Sequence, residues 1–199
     1  DGTREWRHCG DYRKVNECSE KVSYPIPFQA DILGFVSGAK FMFKCDMSQG
    51  FFQIAIDEEA GRILEVVSPF GAKRPTRCTY GQEGVPGFFQ ASICNLLRPI
   101  NDKVRNFIDD IIGRAESWED YMKTQRGFFM LCREKNIKLN APKCYFGFQR
   151  LPILGRIVTP NGTEIDPKRM DALKNMQAPH DKMTTLSFLG MVQWLAPYV

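Results

Sequence analysis

The chain has 199 residues, enough for one large domain, alone or with a small appendage, and for a real hydrophobic core. Its residues are 43% hydrophobic and 25% charged, and no apolar run reaches the ~20 residues that cross a bilayer, so a disordered chain and a helical membrane protein are both excluded as readings. The net charge of +4 permits a polyanionic partner without demanding one.

No signal peptide opens the chain, and it begins on Asp1-Gly2-Thr3 as a turn and not as a start, so a piece of something longer is expected. Tyr24-Pro25-Ile26-Pro27 is extended, because no helix interior accepts that proline spacing. Phe28, Ile32, Phe35 and Val36 follow helical spacing, and Ser37-Gly38 stops them. Phe41, Phe43 and Cys45 alternate with Met42, Lys44 and Asp46 as a strand; after Gly50, Phe52, Ile54 and Ile56 predict a second. Ser68 to Gly71 is a turn, and Pro86 opens a helix carrying Phe89, Ile93, Leu96 and Leu97. Residues 104–112 predict a hairpin with Asp109-Asp110 at its tip. Ser117 caps a helix whose apolar face is Trp118, Tyr121, Met122, Phe128, Phe129 and Cys132, and which ends at Asn136. A short strand at 137–139, a hairpin over 151–165 turning at Asn161-Gly162, a helix after Asp166-Pro167 with Met170 and Leu173 inward, and a last helix from about Thr185 complete the order. The mixture predicts an α+β fold, an antiparallel sheet backed by helices, followed by a small helical appendage.

The seven cysteines contain no CxxC pair, which argues against a zinc knuckle and for an intracellular, reducing compartment. With only two histidines, chemistry built on a histidine pair is disfavoured. Two carboxylate sites remain: Asp46 at the end of an apolar strand, and Asp109-Asp110 at a hairpin tip. Adjacent aspartates repel, and a hard divalent cation relieves the repulsion. Brought together, the two sites would form the carboxylate cluster of two-metal phosphoryl or nucleotidyl transfer. Taken alone, an Asp-Asp pair in a turn is more often only turn chemistry.

The motifs occur in an order that resembles the reverse transcriptases of gypsy-like retrotransposons and, more distantly, of retroviruses. Trp6-Arg7 through Asp11-Tyr12-Arg13 and Val15-Asn16, Tyr24 to Pro27, and Gly38 to Phe41 followed by Asp46 to Ile54 each resemble a family segment. So do Tyr80-Gly81 through Pro86 with Phe89-Gln90, Phe107 to Ile111 (the family's YxDD), and Lys138-Leu139-Asn140 with Lys143-Cys144. Ile153-Leu154-Gly155 and Ser187 to Gly190 complete a set that spans nearly the whole chain.

The resemblance implies a right-hand polymerase palm, a ferredoxin-like antiparallel sheet backed by helices, with partial fingers and palm over 1–150 and a primer-grip hairpin and the helical start of a thumb over 151–199. It implies RNA- or DNA-templated DNA synthesis with Mg²⁺, Mn²⁺ being the alternative ion. Asp46, Asp109 and Asp110 would be catalytic and would hold the ions with the Met47 carbonyl. Arg7, Phe51, Tyr80, Gly81 and Lys143 would meet the deoxynucleoside triphosphate, Arg7 gripping its phosphates, Phe51 gating against a 2′-hydroxyl and Lys143 protonating pyrophosphate. Strand alternation sends the rings of Phe51 and Phe52 to opposite faces. Asp11, Arg13, Phe107, Leu154 and Gly155 would lie along primer and template. Partners would be a primer–template duplex and other polyprotein modules or a larger assembly, in a cytoplasmic particle and with no membrane. The chain departs from the family at Phe107, usually Tyr; at Gly84, usually Asn; and over Lys73 to Cys78, where a proline and three basic residues replace an apolar run and suit a buried strand poorly. These departures keep open a co-opted, inactive relative serving as a structural or RNA-binding subunit. A sheet binding single strands by stacking would need aromatics where the carboxylates stand.

Overall fold

The computed structural model describes residues 9–20 and 24–195. Its elements in chain order are α1 (Arg13–Cys18), α2 (Gln29–Val36), β1 (Phe41–Asp46), α3 (Glu58–Ile63), β2 (Val66–Ser68), β3 (Gly71–Lys73), α4 (Val85–Leu97), β4 (Val104–Phe107), β5 (Asp110–Ala115), α5 (Trp118–Glu134), β6 (Tyr145–Phe148), β7 (Leu151–Ile153), β8 (Arg156–Thr159), β9 (Gly162–Ile165), α6 (Pro167–Lys174) and α7 (Lys182–Leu195). The main sheet has the order β4-β5-β1-β6 with every pairing antiparallel. The α+β expectation holds.

Side chains alternate across β1, and both faces of the sheet are used. Phe43 and Cys45 point to one side, into a core with Phe89, Ile93 and Leu97 of α4 and Tyr121, Phe128 and Cys132 of α5. Burying a Phe or Leu of this kind stabilises the fold by about 1.5–3 kcal/mol. Met42 points to the other side and joins Ile32, Leu33 and Val36 of α2, Ile112 of β5, and Leu151, Ile153 and Val158 of β7 and β8. Lys44 and Asp46 share the face of Met42, and Asp110 shares the face of Ile112. That second face is therefore apolar where α2 and the β7–β8 hairpin cover it and charged beyond them.

Gly113 lies opposite Phe43 in the β1–β5 register and opposite Val104 in the β4–β5 register. The ring of Phe43 occupies the place where a Cβ at 113 would stand. Only glycine lets the ring lie flat over the sheet there.

Both ends of α5 follow the sequence. Ser117 Oγ accepts the Asp120 N–H at 3.2 Å, and Asn136, just past the last turn, takes a left-handed φ of 55°. Its apolar face is narrower than the spacing suggests: Tyr121, Phe128 and Cys132 are buried, while Trp118, Met122 and Phe129 are at least 40% exposed. In α7 the structure begins at Lys182, with Asp181 Oδ1 accepting the Thr184 N–H at 2.7 Å.

Four expectations are corrected. Residues 50–53 form a 3₁₀ turn and not a strand, entered through Gln49 at a left-handed φ of 48°. Only Ala55 beyond them makes a bridge, to Arg77. Phe51 and Phe52 consequently do not part to opposite faces: their rings sit 5.6 and 5.3 Å from that of Tyr80. Residues 137–139 give an isolated bridge, Met47 to Leu139, in place of a strand. Residues 151–165 make two hairpins in a three-stranded sheet, turning first at Leu154-Gly155 (φ 48° and 79°) and then at Pro160-Asn161, with Gly162 as the first residue of β9. The basic stretch 73–77 fits because it lies at the surface: Arg74 pairs with Glu65 at 3.0 Å and Arg77 donates to the Gln53 carbonyl at 3.0 Å, leaving Cys78 to be buried.

Candidate active site

Asp46 is the last residue of β1 and Asp110 the first of β5, and the two stand opposite each other in register. Ile108 and Asp109 form the two-residue turn of the β4–β5 hairpin, closed by the Phe107–Asp110 pair. The Met47 N–H donates to the Asp109 carbonyl at 3.1 Å, which ties the turn to the end of β1. The structure thus brings Asp46, Met47, Asp109 and Asp110 to one end of the sheet. The hairpin tip is Ile108-Asp109, one residue earlier than the sequence suggests.

Two ammonium groups stand among the carboxylates. Lys44 Nζ is 2.9 Å from Asp110 Oδ2, with both side chains 20% exposed. Lys143 Nζ is 3.4 Å from Asp46 Oδ2 and lies mostly in solvent. Burial first, then the charges of Asp109 and Asp46, push the Asp110 carboxyl above its ordinary value against the pull of Lys44. Asp109 is exposed. Among the described residues no three Asp, Glu, His or Cys side chains already converge as a cage for an ion. Asp110 turns to Lys44 and Asp46 to Lys143 and Asn140. The donor set is nevertheless all oxygen, crowded and negative, which is the chemistry a hard divalent cation takes.

Asp46 is steadied from the segment after α5. Asn140 donates its backbone N–H to the Asp46 carbonyl at 2.8 Å and its side-chain amide to Asp46 Oδ2 at 3.2 Å. Ser48 N–H donates to the Lys138 carbonyl at 2.9 Å. The Gln53 amide joins the same two segments, donating to the Ser48 and Lys138 carbonyls at 2.7 and 2.8 Å and accepting the Lys138 N–H at 2.9 Å.

Phe51 packs edge-on to Phe89 at 5.1 Å and lies beside Tyr80. Gly81 follows at φ 98°, where a Cβ would stand 3.0 Å from the Gly10 carbonyl. Asn16 holds this loop, donating to the Gly81 carbonyl at 2.9 Å and accepting the Glu83 N–H at 3.1 Å. Phe107 and Leu154 both border the second core cluster, with Gly155 in the turn beside Leu154. Asp11 and Arg13 pair with each other at 2.6 Å on the surface. Arg7 lies outside the described residues. Roles for Asn16, Gln53 and Asn140 escaped the sequence reading; for all three the one signal was their place inside quoted motifs.

Residues 1–192 match the family model described as reverse transcriptase (RNA-dependent DNA polymerase). The chain is 30% identical over its whole length to a retrovirus-related Pol polyprotein from transposon 297 of Drosophila melanogaster, of which it spans 19%. It is 25% identical over 95% of its length to the Pol polyprotein from transposon gypsy of the same fly, spanning 18% of it. Among solved structures, the foamy viral protease-reverse transcriptase in complex with double-stranded DNA superposes on 98% of the chain with a TM-score of 0.91 at 22% identity, the chain spanning 34% of it. The same viral protein in complex with an RNA/DNA hybrid gives 0.84 over 93% of the chain, again at 22% identity, with 25% of that protein spanned. At that identity the likeness establishes the polymerase-palm fold.

Proposed function

Because the chain belongs to the reverse transcriptase family, we propose that it is the palm-centred part of an RNA-directed DNA polymerase, copying RNA or DNA templates from a primer. The observation that carries this reading is the in-register meeting of Asp46 with Asp110, locked by the Met47–Asp109 backbone bond. Asp46, Asp109 and Asp110, with the Met47 carbonyl, would hold two Mg²⁺ ions, Mn²⁺ being the substitute. Bound ions would lower the pKa of the primer 3′-hydroxyl and neutralise charge on the triphosphate.

The remaining work falls to the chain. Phe51, packed against Phe89 and Tyr80, would reject a 2′-hydroxyl by contact. Tyr80 and Gly81 would border the nascent base pair, and Arg7 would grip the phosphates with its planar fork. Lys143, its ammonium mostly solvated beside Asp46, is free to swing to the leaving pyrophosphate. Phe107, Leu154 and Gly155 would line the primer, and Asp11 and Arg13 the template. Residues 1–150 would then serve as partial fingers and palm and 151–199 as primer grip and start of the thumb. Duplex binding would rest on the phosphate backbone and weaken with salt. The seven free thiols support work in a reducing, intracellular particle beside other polyprotein modules. Among the described residues no helix is long and apolar enough to cross a membrane.

The deciding experiment is primer extension on an RNA template by the full-length protein, with Mg²⁺ and then Mn²⁺. Extension lost in Asp109→Asn upholds the reading. One observation favours the second reading, a co-opted structural subunit: the Lys44 ammonium already neutralises Asp110 from 2.9 Å. A folded, full-length protein that extends nothing would establish that reading instead.

A further inference from the structure

The hairpin that carries Asp109 and Asp110 is built on an outer strand. β4 pairs with β5 on one side only. On its other edge the Asn106 carbonyl and the Ile108 N–H have no neighbouring strand to meet. An unmatched edge of this kind is costly when buried. The turn residue adds strain, because Ile108 takes a left-handed φ of 54°, a region that β-branched side chains avoid.

Gln90 meets both needs. It sits on α4, fully buried one residue after Phe89. Its Oε1 accepts the Ile108 N–H at 2.7 Å, and its Nε2 faces the Asn106 carbonyl at 3.4 Å. One side-chain amide thus supplies the donor and the acceptor that a further strand would have supplied. Asn106, 3% exposed, donates Nδ2 to the Ile108 carbonyl at 3.1 Å and to Gln90 Oε1 at 3.2 Å. Cys94, one turn along α4, donates its thiol to Asn106 Oδ1 at 3.3 Å and accepts from Gln90 Nε2 at 3.2 Å. Both peptide groups of the left-handed residue are therefore gripped by buried amides.

We propose that Gln90, backed by Asn106, is a positioning residue that holds Ile108 in its left-handed turn and thereby aims Asp109 at Asp46. The proposal rests on the polymerase reading for its consequence in catalysis and on the hydrogen-bond geometry for the clamp itself. Neither residue touches the reacting atoms. Their effect passes through the turn, whose Asp109 carbonyl is fixed to Met47.

The test compares wild type, Gln90→Met, Ile108→Gly and the double variant in the full-length protein. Three measurements are made: amide hydrogen exchange over 106–110, Mn²⁺ binding by paramagnetic resonance, and steady-state primer extension. Gln90→Met keeps the volume and removes the amide. It should speed exchange in the turn and lower both Mn²⁺ affinity and kcat on the order of 10–100-fold, as loss of a partner behind a metal ligand does. KM for primer–template should stay within about twofold, because the duplex contacts are untouched. Glycine accepts the left-handed turn without a clamp. Gln90→Met should therefore cost much less in the Ile108→Gly background than in wild type, a coupling that a packing role for Gln90 would not produce. A folded Gln90→Met protein with wild-type exchange in the turn and unchanged Mn²⁺ affinity overturns the clamp. If Gln90→Met fails to fold, Asn106→Ala, which removes the grip on the Ile108 carbonyl together with the side-chain bonds to Gln90 and Cys94, is read the same way, with a roughly tenfold effect expected and no effect overturning the proposal. Wild type that neither binds Mn²⁺ nor extends a primer overturns the polymerase reading instead, and the exchange comparison alone then decides the clamp.

Discussion

The acidic site is assembled from two regions that solve one problem by different means. Asp46 ends a central strand and inherits its position from main-chain ladders on both sides, β5 on one and residues 138–140 on the other. Asp109 and Asp110 belong to a hairpin at the rim of the sheet, where one side of the ladder is missing and side-chain amides stand in for it. Backbone ladders tolerate sequence change, because every residue but proline supplies the same groups. Side-chain amides do not. The hairpin should be the region where single substitutions tell most.

The sharpest way to break the comparison is to remove the carboxylates themselves. Asp46→Asn and Asp109→Asn should each reduce primer extension by more than the roughly 10–100-fold of an outer-shell loss, and the double variant should lose little more than the worse single one, since both would hold the same ions. Losses that multiply in single-turnover extension by the double variant would show that the two regions do not share one site.

Asn140→Leu probes the ladder side. It deletes the side-chain bond to Asp46 Oδ2 and spares the backbone bond to its carbonyl. Extension should fall by only about tenfold, with a stability change of about 1 kcal/mol in urea denaturation. A loss as large as that of Asp46→Asn would mean that the ladder alone does not fix the carboxylate.

Lys44→Met unpairs Asp110. With a fifth of each side chain exposed, the destabilisation at neutral pH should be about 1–2 kcal/mol, below that of a fully buried pair. The sign with pH follows from the raised Asp110 value. Its charged form is disfavoured on folding, so this penalty is present above the folded-state pKa and relieved as pH falls through it toward the unfolded value. Without Lys44 that relief should begin at higher pH, which denaturation curves between pH 4 and 7 would detect.

Asp120→Asn gives the smallest effect. Asp120 on α5 pairs with Lys103 at the root of β4 at 2.7 Å, about a third exposed. The Lys103 hydrogen bond holds its carboxyl below the ordinary value. The stabilisation is present above the unfolded pKa and lost as pH falls through the lowered one. The substitution should cost under about 1 kcal/mol at pH 7 and nothing once the pH has fallen below that lowered value, which denaturation curves carried further into acid would check.

Features set by local pattern were legible in the sequence: the alternation of β1, the hairpin carrying two aspartates, and both ends of α5. The misreading at 52–56 has a local cause too. Phe52, Ile54 and Ile56 alternate as a strand would, but Gln49 in the left-handed region turns the chain into a 3₁₀ turn first, and glutamine carries no warning of that conformation. Lys44 was legible as alternating with Phe43 along the strand, while its ion pair with Asp110 was not, because that depends on the β1–β5 register. Asn140 and Gln53 act across 94 and 85 residues of sequence, and no spacing within one element can announce such a contact. In the sequence the scattered cysteines suit a reducing compartment and mostly buried, inert roles; all seven are free, but only Cys45, Cys78 and Cys132 are buried. Depth decides which are inert: burial raises Cys132 to about 12, while Cys9 and Cys18 are exposed.

The glycine beneath the Phe43 ring bears on how this chain can change over time. Residues 43 and 113 fill one volume between them, so a larger residue at 113 is admissible only with a smaller one at 43. Two diverged copies that had each settled the pair differently could not safely exchange genetic material with a crossover between those codons. The hybrid would inherit two rings' worth of bulk or a void, and a void left by a lost phenyl costs about 3–5 kcal/mol. Viable recombinants between such lineages should carry residues 43 and 113 from the same parent.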